Sequence, residues 1–247
     1  MNWDEIKVWR KKQRELLVAR REAIPDAERR MLNERITNYL LDGFEVPHEA
    51  VVAFCWPYRA EFDARFAARR WRDAGAITAL PEVVGKGLPL QFRAWSPGVA
   101  MRAGVYDIPV PDGTDVVVPH IAIVPMNGFD DCGYRLGYGG GFFDRTLAAC
   151  EPRPVAIGVS YETLRLNTIF PQPHDVPMDF VVTENGVHAA GGRTLELLSS
   201  AQARSRAAQL FAHRSLLRRP DDGGYSSPAC YAAEFPGYFG DGKTPAE

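Results

Sequence analysis

The stretch Gly133-Tyr134-Arg135-Leu136-Gly137-Tyr138-Gly139-Gly140-Gly141-Phe142-Phe143-Asp144-Arg145 constrains this chain more than any other. The apolar run His120 to Pro125 precedes it and reads as a buried strand. Phe142 to Cys150 follows and reads as a helix with Phe143 and Leu147 on one face. Strand, glycine-rich loop and helix start together make an anion site. Glycines let the backbone approach a phosphate, and first-turn N–H groups point at it. Asp144 suits the positive end of the helix dipole and is a hard oxygen ligand for Mg²⁺. Arg135 and Arg145 flank the loop with positive charge. No Gly-Lys-Ser/Thr follows, so this is not a Walker loop. The third glycine falls one position early for the dinucleotide fingerprint. Residue chemistry alone leaves a phosphate loop and a structural turn both open.

Around this loop, short apolar runs alternate with amphipathic segments. Residues 3 to 22 read as a helix, with Ile6, Trp9, Gln13, Leu16, Leu17 and Arg20 at helical spacing. Arg10 and Arg14 lie four apart, so both heads reach over one face, which suits a polyphosphate or a plain charged surface. Asp26 reads as the cap of a second helix through about Leu41, ended by Gly43, with Met31, Leu32, Ile36, Tyr39 and Leu40 facing the core. Val51 to Cys55 is a strand, broken by Trp56-Pro57, and Glu61 opens a helix containing Phe62, Phe66, Ala67 and Trp71. Loops at the carboxyl ends of parallel strands are where ligands bind in open α/β sheets. There Trp56 could stack on a flat heterocycle and Glu61 could accept from an amino-pyrimidine edge; core tryptophan and helix-start acid are the bland alternatives.

Further strands are expected at Ala76 to Leu80, Leu90 to Trp95, Pro154 to Ser160 and, as the last, Asp179 to Thr183. Lys86, between two glycines, suits a phosphate, a glutamate tail or a turn. Ile108 to Pro111 reads as a rigid extended link. Pro171 to Pro177 is a proline-fixed loop that would hold His174 and Asp175 in place. The whole pattern argues a mostly parallel sheet covered by helices.

The bulk numbers exclude several classes. A chain of 247 residues suits one α/β domain with a tail, and a net charge of −2 gives no general reason to expect nucleic acid or a membrane surface. The four cysteines, Cys55, Cys132, Cys150 and Cys230, are scattered without a Cys-x-x-Cys pair, which argues against zinc and for a reducing compartment. The polar N-terminus and the lack of a span-length apolar run lead to the expectation of a cytoplasmic protein. Residues 201 to 219 read as a basic amphipathic helix. Tyr225, Tyr231, Phe235, Tyr238 and Phe239 then suggest a tail that packs on the domain or on a partner. The expected division is therefore a domain at 1–200 and an extension at 201–247.

The string Arg135-Leu-Gly-Tyr-Gly-Gly-Gly-Phe-Phe-Asp144 resembles the signature of the 5-formyltetrahydrofolate cyclo-ligase (methenyltetrahydrofolate synthetase) family, which typically reads R-L-G-x-G-x-G-Y-Y-D. Val124-Pro125, Gly128-Phe129-Asp130, His174-Asp175-Val176-Pro177-Met178-Asp179 and Val182-Thr183-Glu184 extend the resemblance, which covers about residues 8 to 190. It implies a single three-layer α/β/α domain with a mostly parallel sheet. It also implies ATP- and Mg²⁺-dependent cyclisation of 5-formyltetrahydrofolate, with or without a polyglutamate tail, to 5,10-methenyltetrahydrofolate, by a monomer. ATP would be held by Arg10 or Lys11, by Arg14, Arg135 and Leu136, by the loop Gly137, Tyr138, Gly139, Gly140, Gly141, and by Phe142 and Phe143. Arg14, Arg135 and Asp144 would be catalytic, Asp144 and Asp175 would hold Mg²⁺, and Trp56, Glu61 and Phe143 would contact folate. Departures stand at Arg10, where the family has lysine, at Phe142 and Phe143, which replace tyrosines, and at Val110 and His120, which replace acids. Two other classes stay beside this reading: a non-catalytic folate- or nucleotide-binding module, and a fold-sharing sugar-phosphate isomerase.

Overall fold

The computed structural model describes residues 2–216. Two helices come first, α1 (Trp3–Glu22) and α2 (Asp26–Gly43). Then follow β1 (Val51–Ala53), α3 (Arg65–Asp73), β2 (Ile77–Val83) and β3 (Leu90–Ala94). A small ribbon of β4 (Met101–Ala103) and β5 (Pro109–Pro111) leads to β6 (Ile121–Pro125). The glycine-loop region holds β7 (Gly128–Asp130), β8 (Arg135–Leu136) and α4 (Phe142–Ala149). The chain continues through β9 (Val155–Val159), β10 (Arg165–Leu166), β11 (Phe180–Thr183), β12 (Gly186–Ala189), β13 (Glu196–Leu198) and α5 (Ser200–Leu216).

Eight strands form the central sheet in the order β13-β12-β11-β9-β6-β1-β2-β3. From β11 to β2 every pairing is parallel, and only the edges, β2 with β3 and β11 to β13, are antiparallel. Parallel strands must be covered on both faces. Two apolar clusters do so by simple alternation along each strand. Val52, Ile121, Ile123, Ile157 and Val182 point to a cluster that takes Leu17 of α1, Ile36 and Leu40 of α2, Ala67 and Trp71 of α3, and Ala203 and Ala207 of α5. Val51, Ala122, Val124, Ala156 and Val181 point to the opposite cluster, closed by Leu147 of α4 with Met126, Phe129 and Met178. This is the expected mostly parallel α/β fold.

Several local expectations are corrected. Asp26 lies within the first turn of α2, and Pro25, whose fixed φ of −58° suits a helix start, occupies the cap position. Met31 is exposed, and the buried stripe of α2 is Ile36 and Leu40. Glu61 precedes α3 by several residues and Phe66 is exposed, because the chain first turns through residues 58–64. Ile108 to Pro111 is not a free link: β5 pairs with β4, and Val110 is buried. β11 is not last, since β12 and β13 extend the sheet by hairpin pairing. α5 packs against α2, and Arg214 near its end donates to both oxygens of Asp179. The expected tail aromatics lie outside the described residues.

The largest difference is in α1. A capping box between Asn2 and Glu5 starts it. Its buried face is Ile6, Arg10, Leu17, Val18 and Arg21, with Arg14 half-buried between, while Leu16 is exposed. An apolar sheet face cannot take three arginines. Their partners are instead loops beyond the carboxyl ends of the parallel strands, so α1 lies as a strap across that end.

Candidate active site

The glycine loop leaves β6 through the hairpin β7–β8, which sequence periodicity did not reveal because its strands are two and three residues long. Asp130 is the hub of this turn. Its oxygens accept from the amides of Cys132, Tyr134 and Ile169, tying the hairpin to the loop that carries Asp175. Burial raises the pKa of Asp130 against those three bonds.

The loop enters α4 through Gly141, whose φ of +62° is left-handed backbone and whose position allows no side-chain cap. The first-turn amides of α4 therefore have no side-chain cap. Asp144 sits in that turn. Its Oδ2 accepts from Arg135 Nη2 at 2.7 Å, and its Oδ1 accepts from the amide of Val176 at 3.2 Å. Both side chains are nearly buried. The Arg135 guanidinium also lies 5.3 Å from the ring centre of Phe143, and a Cβ on Gly137 would strike its Nη1 at 2.4 Å. Gly137 is thus required by the close approach of Arg135.

Arg14 reaches the loop from α1. Its Nε donates to the carbonyl of Gly137 at 2.9 Å, and its Cζ stands 3.4 Å from where a Cβ of Gly139 would be. Sequence and structure therefore bring Arg14, Arg135, Asp144 and the glycines together. Lys11 is exposed on the same helix. Phe142 and Phe143 are half-buried, and Arg145 stacks over Phe142 at 5.2 Å.

Arg10 and Asp175 meet each other. Arg10 does not face the loop glycines. Its Nε donates to Ile169 O, its Nη2 to Phe170 O, and its Nη1 and Nη2 to the two oxygens of Asp175, at 3.2 and 2.5 Å. The amide of Gln172 adds a further bond to Asp175. A buried carboxylate held bidentately by a guanidinium is a structural clamp. Asp175 thus aligns the loop next to Asp144, through Val176. Trp9 against Phe170 and Trp3 against His174, both edge to face, complete the grip of α1 on this loop.

On the β1 side, Glu61 is buried. Its Oε2 accepts from the amide of Tyr58 at 3.0 Å and its Oε1 from the hydroxyl of Tyr138 at 2.8 Å. Arg21 Nη1 stands 4.0 Å from Oε1. Burial raises the Glu61 pKa, and Arg21, Tyr138 and Tyr58 oppose it. Burial beside Glu61 also pushes the Cys55 thiol up. Trp56 packs with Trp95 and Phe54, and Arg65 lies over its ring. Lys86 is exposed in the turn between β2 and β3.

Sequence reading missed Arg21, Asn127 and Tyr58. Arg21 continues the spacing Arg10, Arg14, Leu17 on α1, which was a usable signal; Asn127 offered none. Among the described residues, Trp56 Nε1, Asn127 Nδ2 and Arg135 Nε are buried without a hydrogen-bond partner. Buried donors of this kind are costly unless a ligand or water meets them.

Fold and site define a class: a mostly parallel α/β protein whose glycine loop, guanidinium groups and helix-head carboxylate are built to hold an anionic ligand. Residues 6–184 match the sequence model of the 5-formyltetrahydrofolate cyclo-ligase family, and the chain belongs to that family of ligases. It is 30% identical over 178 residues to the 5-formyltetrahydrofolate cyclo-ligase of Mycolicibacterium smegmatis, covering 69% of this chain and 91% of that one. The Escherichia coli enzyme of the same name is 27% identical over 177 residues, covering 68% and 96%. The solved 5,10-methenyltetrahydrofolate synthetase of Aquifex aeolicus superposes with a TM-score of 0.62 at 27% identity, covering 76% of this chain and 96% of that one. α5 lies beyond the residues matched by the family. No helix among the described residues is long and apolar enough to cross a membrane.

Proposed function

We propose that this chain catalyses ATP-dependent cyclisation of 5-formyltetrahydrofolate to 5,10-methenyltetrahydrofolate. The observation that carries the reading is the buried Arg135–Asp144 pair at the head of α4, beneath a glycine loop that Arg14 also touches. An isomerase needs one phosphate grip; two guanidinium groups, free helix amides and a carboxylate suit a polyphosphate with its counter-ion.

The chemistry explains the residues. An N-formyl oxygen is a poor leaving group. That oxygen attacks the γ-phosphorus of ATP, the bond to the bridging oxygen breaks, and ADP departs. N10 then attacks the activated formyl carbon, loses its proton, and phosphate leaves with the former formyl oxygen. Arg14, Arg135 and the amides of the loop and first turn of α4 hold the phosphates and offset charge developing on them. Asp144 fits Mg²⁺ by its chemistry, a hard carboxylate beside a phosphate site, where Mg²⁺ takes one or two carboxylates together with phosphate oxygens. When bound, Mg²⁺ supplies charge neutralisation on the transferred group. Glu61 accepts from the amino-pyrimidine edge of the pterin, Trp56 supplies flat apolar surface, and Phe143 does so without the hydroxyl of the usual tyrosine. Lys11 lies near enough along α1 to Arg14 to add positive charge at the exposed side of the nucleotide.

The test is the absorbance of the methenyl product on mixing protein, 5-formyltetrahydrofolate and Mg-ATP, with Asp144→Asn alongside. The wild type is expected to give an ATP-dependent rise and the variant to lose about 100-fold in rate. A wild type that binds both substrates without forming product would overturn the reading in favour of a binding module.

A further inference from the structure

Tyr138 belongs to the glycine loop, yet its side chain ends in the Glu61 pocket. The hydroxyl donates to Glu61 Oε1 at 2.8 Å and accepts from Arg21 Nη2 at 2.8 Å. Each partner is also held from elsewhere, Glu61 through its other oxygen only. Arg21 is fully buried and donates to Asn127 Oδ1 and to the carbonyl of Arg59. Glu61 is pinned by the amide of Tyr58, whose ring meets that of Tyr138 edge to face at 5.7 Å. Burial and the neighbouring Glu61 raise the Tyr138 pKa, so the hydroxyl keeps its proton and serves as the donor.

The backbone on either side of Tyr138 belongs to the phosphate grip. Arg14 bonds the carbonyl of Gly137 and lies against Gly139, whose φ is +98°. Two flanking glycines leave this segment free to pivot unless something holds it. The ring is 49% exposed, so core packing is not what fixes it.

We propose that Tyr138 couples the two substrate sites: phosphates seated on the loop fix its hydroxyl on Glu61, and nucleotide binding thereby tightens binding of the folate. The proposal rests on the function argued above. Phosphate held by Arg14 and the loop amides arrests Gly137 and Gly139. The hydroxyl then orients Glu61 before the pterin edge arrives, so the second ligand meets a site already ordered. By linkage the folate tightens ATP binding by the same factor. Position 138 is one of the two variable places in the family pattern, so this is a property of this chain's tyrosine.

The experiment is calorimetric titration of the full chain with 5-formyltetrahydrofolate, with and without Mg²⁺ and β,γ-methylene-ATP. In the wild type the nucleotide analogue is expected to lower Kd by about tenfold. In Tyr138→Phe, which keeps the ring, the factor is expected to fall below about twofold. Tyr138→Gln, whose amide can donate to Glu61 and accept from Arg21, is expected to recover part of it. A merely structural tyrosine would move both Kd values together and leave their ratio alone. An unchanged ratio in Tyr138→Phe, a ratio of one in the wild type, or a Gln variant no better than Phe would each overturn the coupling. If the wild type neither binds 5-formyltetrahydrofolate nor forms product, the function itself falls and the coupling with it.

Discussion

Arg10 and Asp175 stand 165 residues apart in sequence and meet as a bidentate ion pair with both side chains 5% exposed. The pair closes α1 over the loop that delivers Val176 to Asp144. Removing one partner leaves a buried charge alone, which costs about 3–5 kcal/mol, whereas replacing both by apolar groups is far milder. Arg10→Ala is therefore expected to lose that much stability in guanidinium unfolding, and Arg10→Met with Asp175→Leu distinctly less. Asp175→Asn should leave the Mg²⁺ concentration for half-maximal rate unchanged, while Asp144→Asn raises it. An Asp175→Asn enzyme that needs much more Mg²⁺ would return Asp175 to the metal site.

What sequence could disclose follows from how local each contact is. The strands β1, β6, β9 and β11 are apolar runs with their neighbours in register, and reading them needed only composition. Arg135, Asp144 and the glycines lie within one short string, so their chemistry was visible before folding. The pairing of Arg10 with Asp175 has no local signal, because its two partners lie 165 residues apart. The burial of Arg21 has no local signal either, because its partner Asn127 lies 106 residues on. α1 misled for a physical reason: its buried stripe is cationic, and an apolar moment cannot find a helix that docks on loop carbonyls and carboxylates.

Gly139 tests the loop without replacing a charged group. Its φ of +98° strains any residue with a Cβ, and that Cβ would come within 3.4 Å of the Arg14 guanidinium. Such backbone strain costs about 1–3 kcal/mol. Gly139→Ala is expected to weaken ATP binding by about tenfold, the equivalent of about 1.4 kcal/mol. Titration with β,γ-methylene-ATP measures it, and wild-type affinity in the variant would remove Gly139 and Arg14 from the phosphate grip.

α5 is held by more than apolar packing. Arg214 donates to both oxygens of Asp179 and to the carbonyl of Pro154, and Arg153 shares the same carboxylate. Hydrogen bonds to charged groups contribute about 1.5–3 kcal/mol. Arg214→Ala is expected to destabilise the chain by about that amount, with hydrogen exchange rising across α5 and little change in ATP affinity. Exchange confined to α4 and the glycine loop would contradict the assignment of this pair to α5.

Glu61 should set opposite pH dependences for stability and for binding. Burial raises its pKa above the ordinary carboxylate value, against the pull of Arg21 and two hydrogen bonds. A carboxyl whose folded pKa lies above its unfolded one stabilises the fold fully below the unfolded value, and that contribution disappears as pH rises through the folded value. Relative to Glu61→Gln, the wild type is therefore expected to lose stability as pH rises above the ordinary carboxylate range, seen as a falling denaturant midpoint. Binding runs the other way, since the ionised carboxylate is the form that accepts from an amino-pyrimidine edge. The KM for 5-formyltetrahydrofolate should rise as pH falls through the same window, with a flat and uniformly weaker response in Glu61→Gln. A wild-type KM that stays flat while the midpoint moves would keep Glu61 as a buried structural acid and remove it from the folate site.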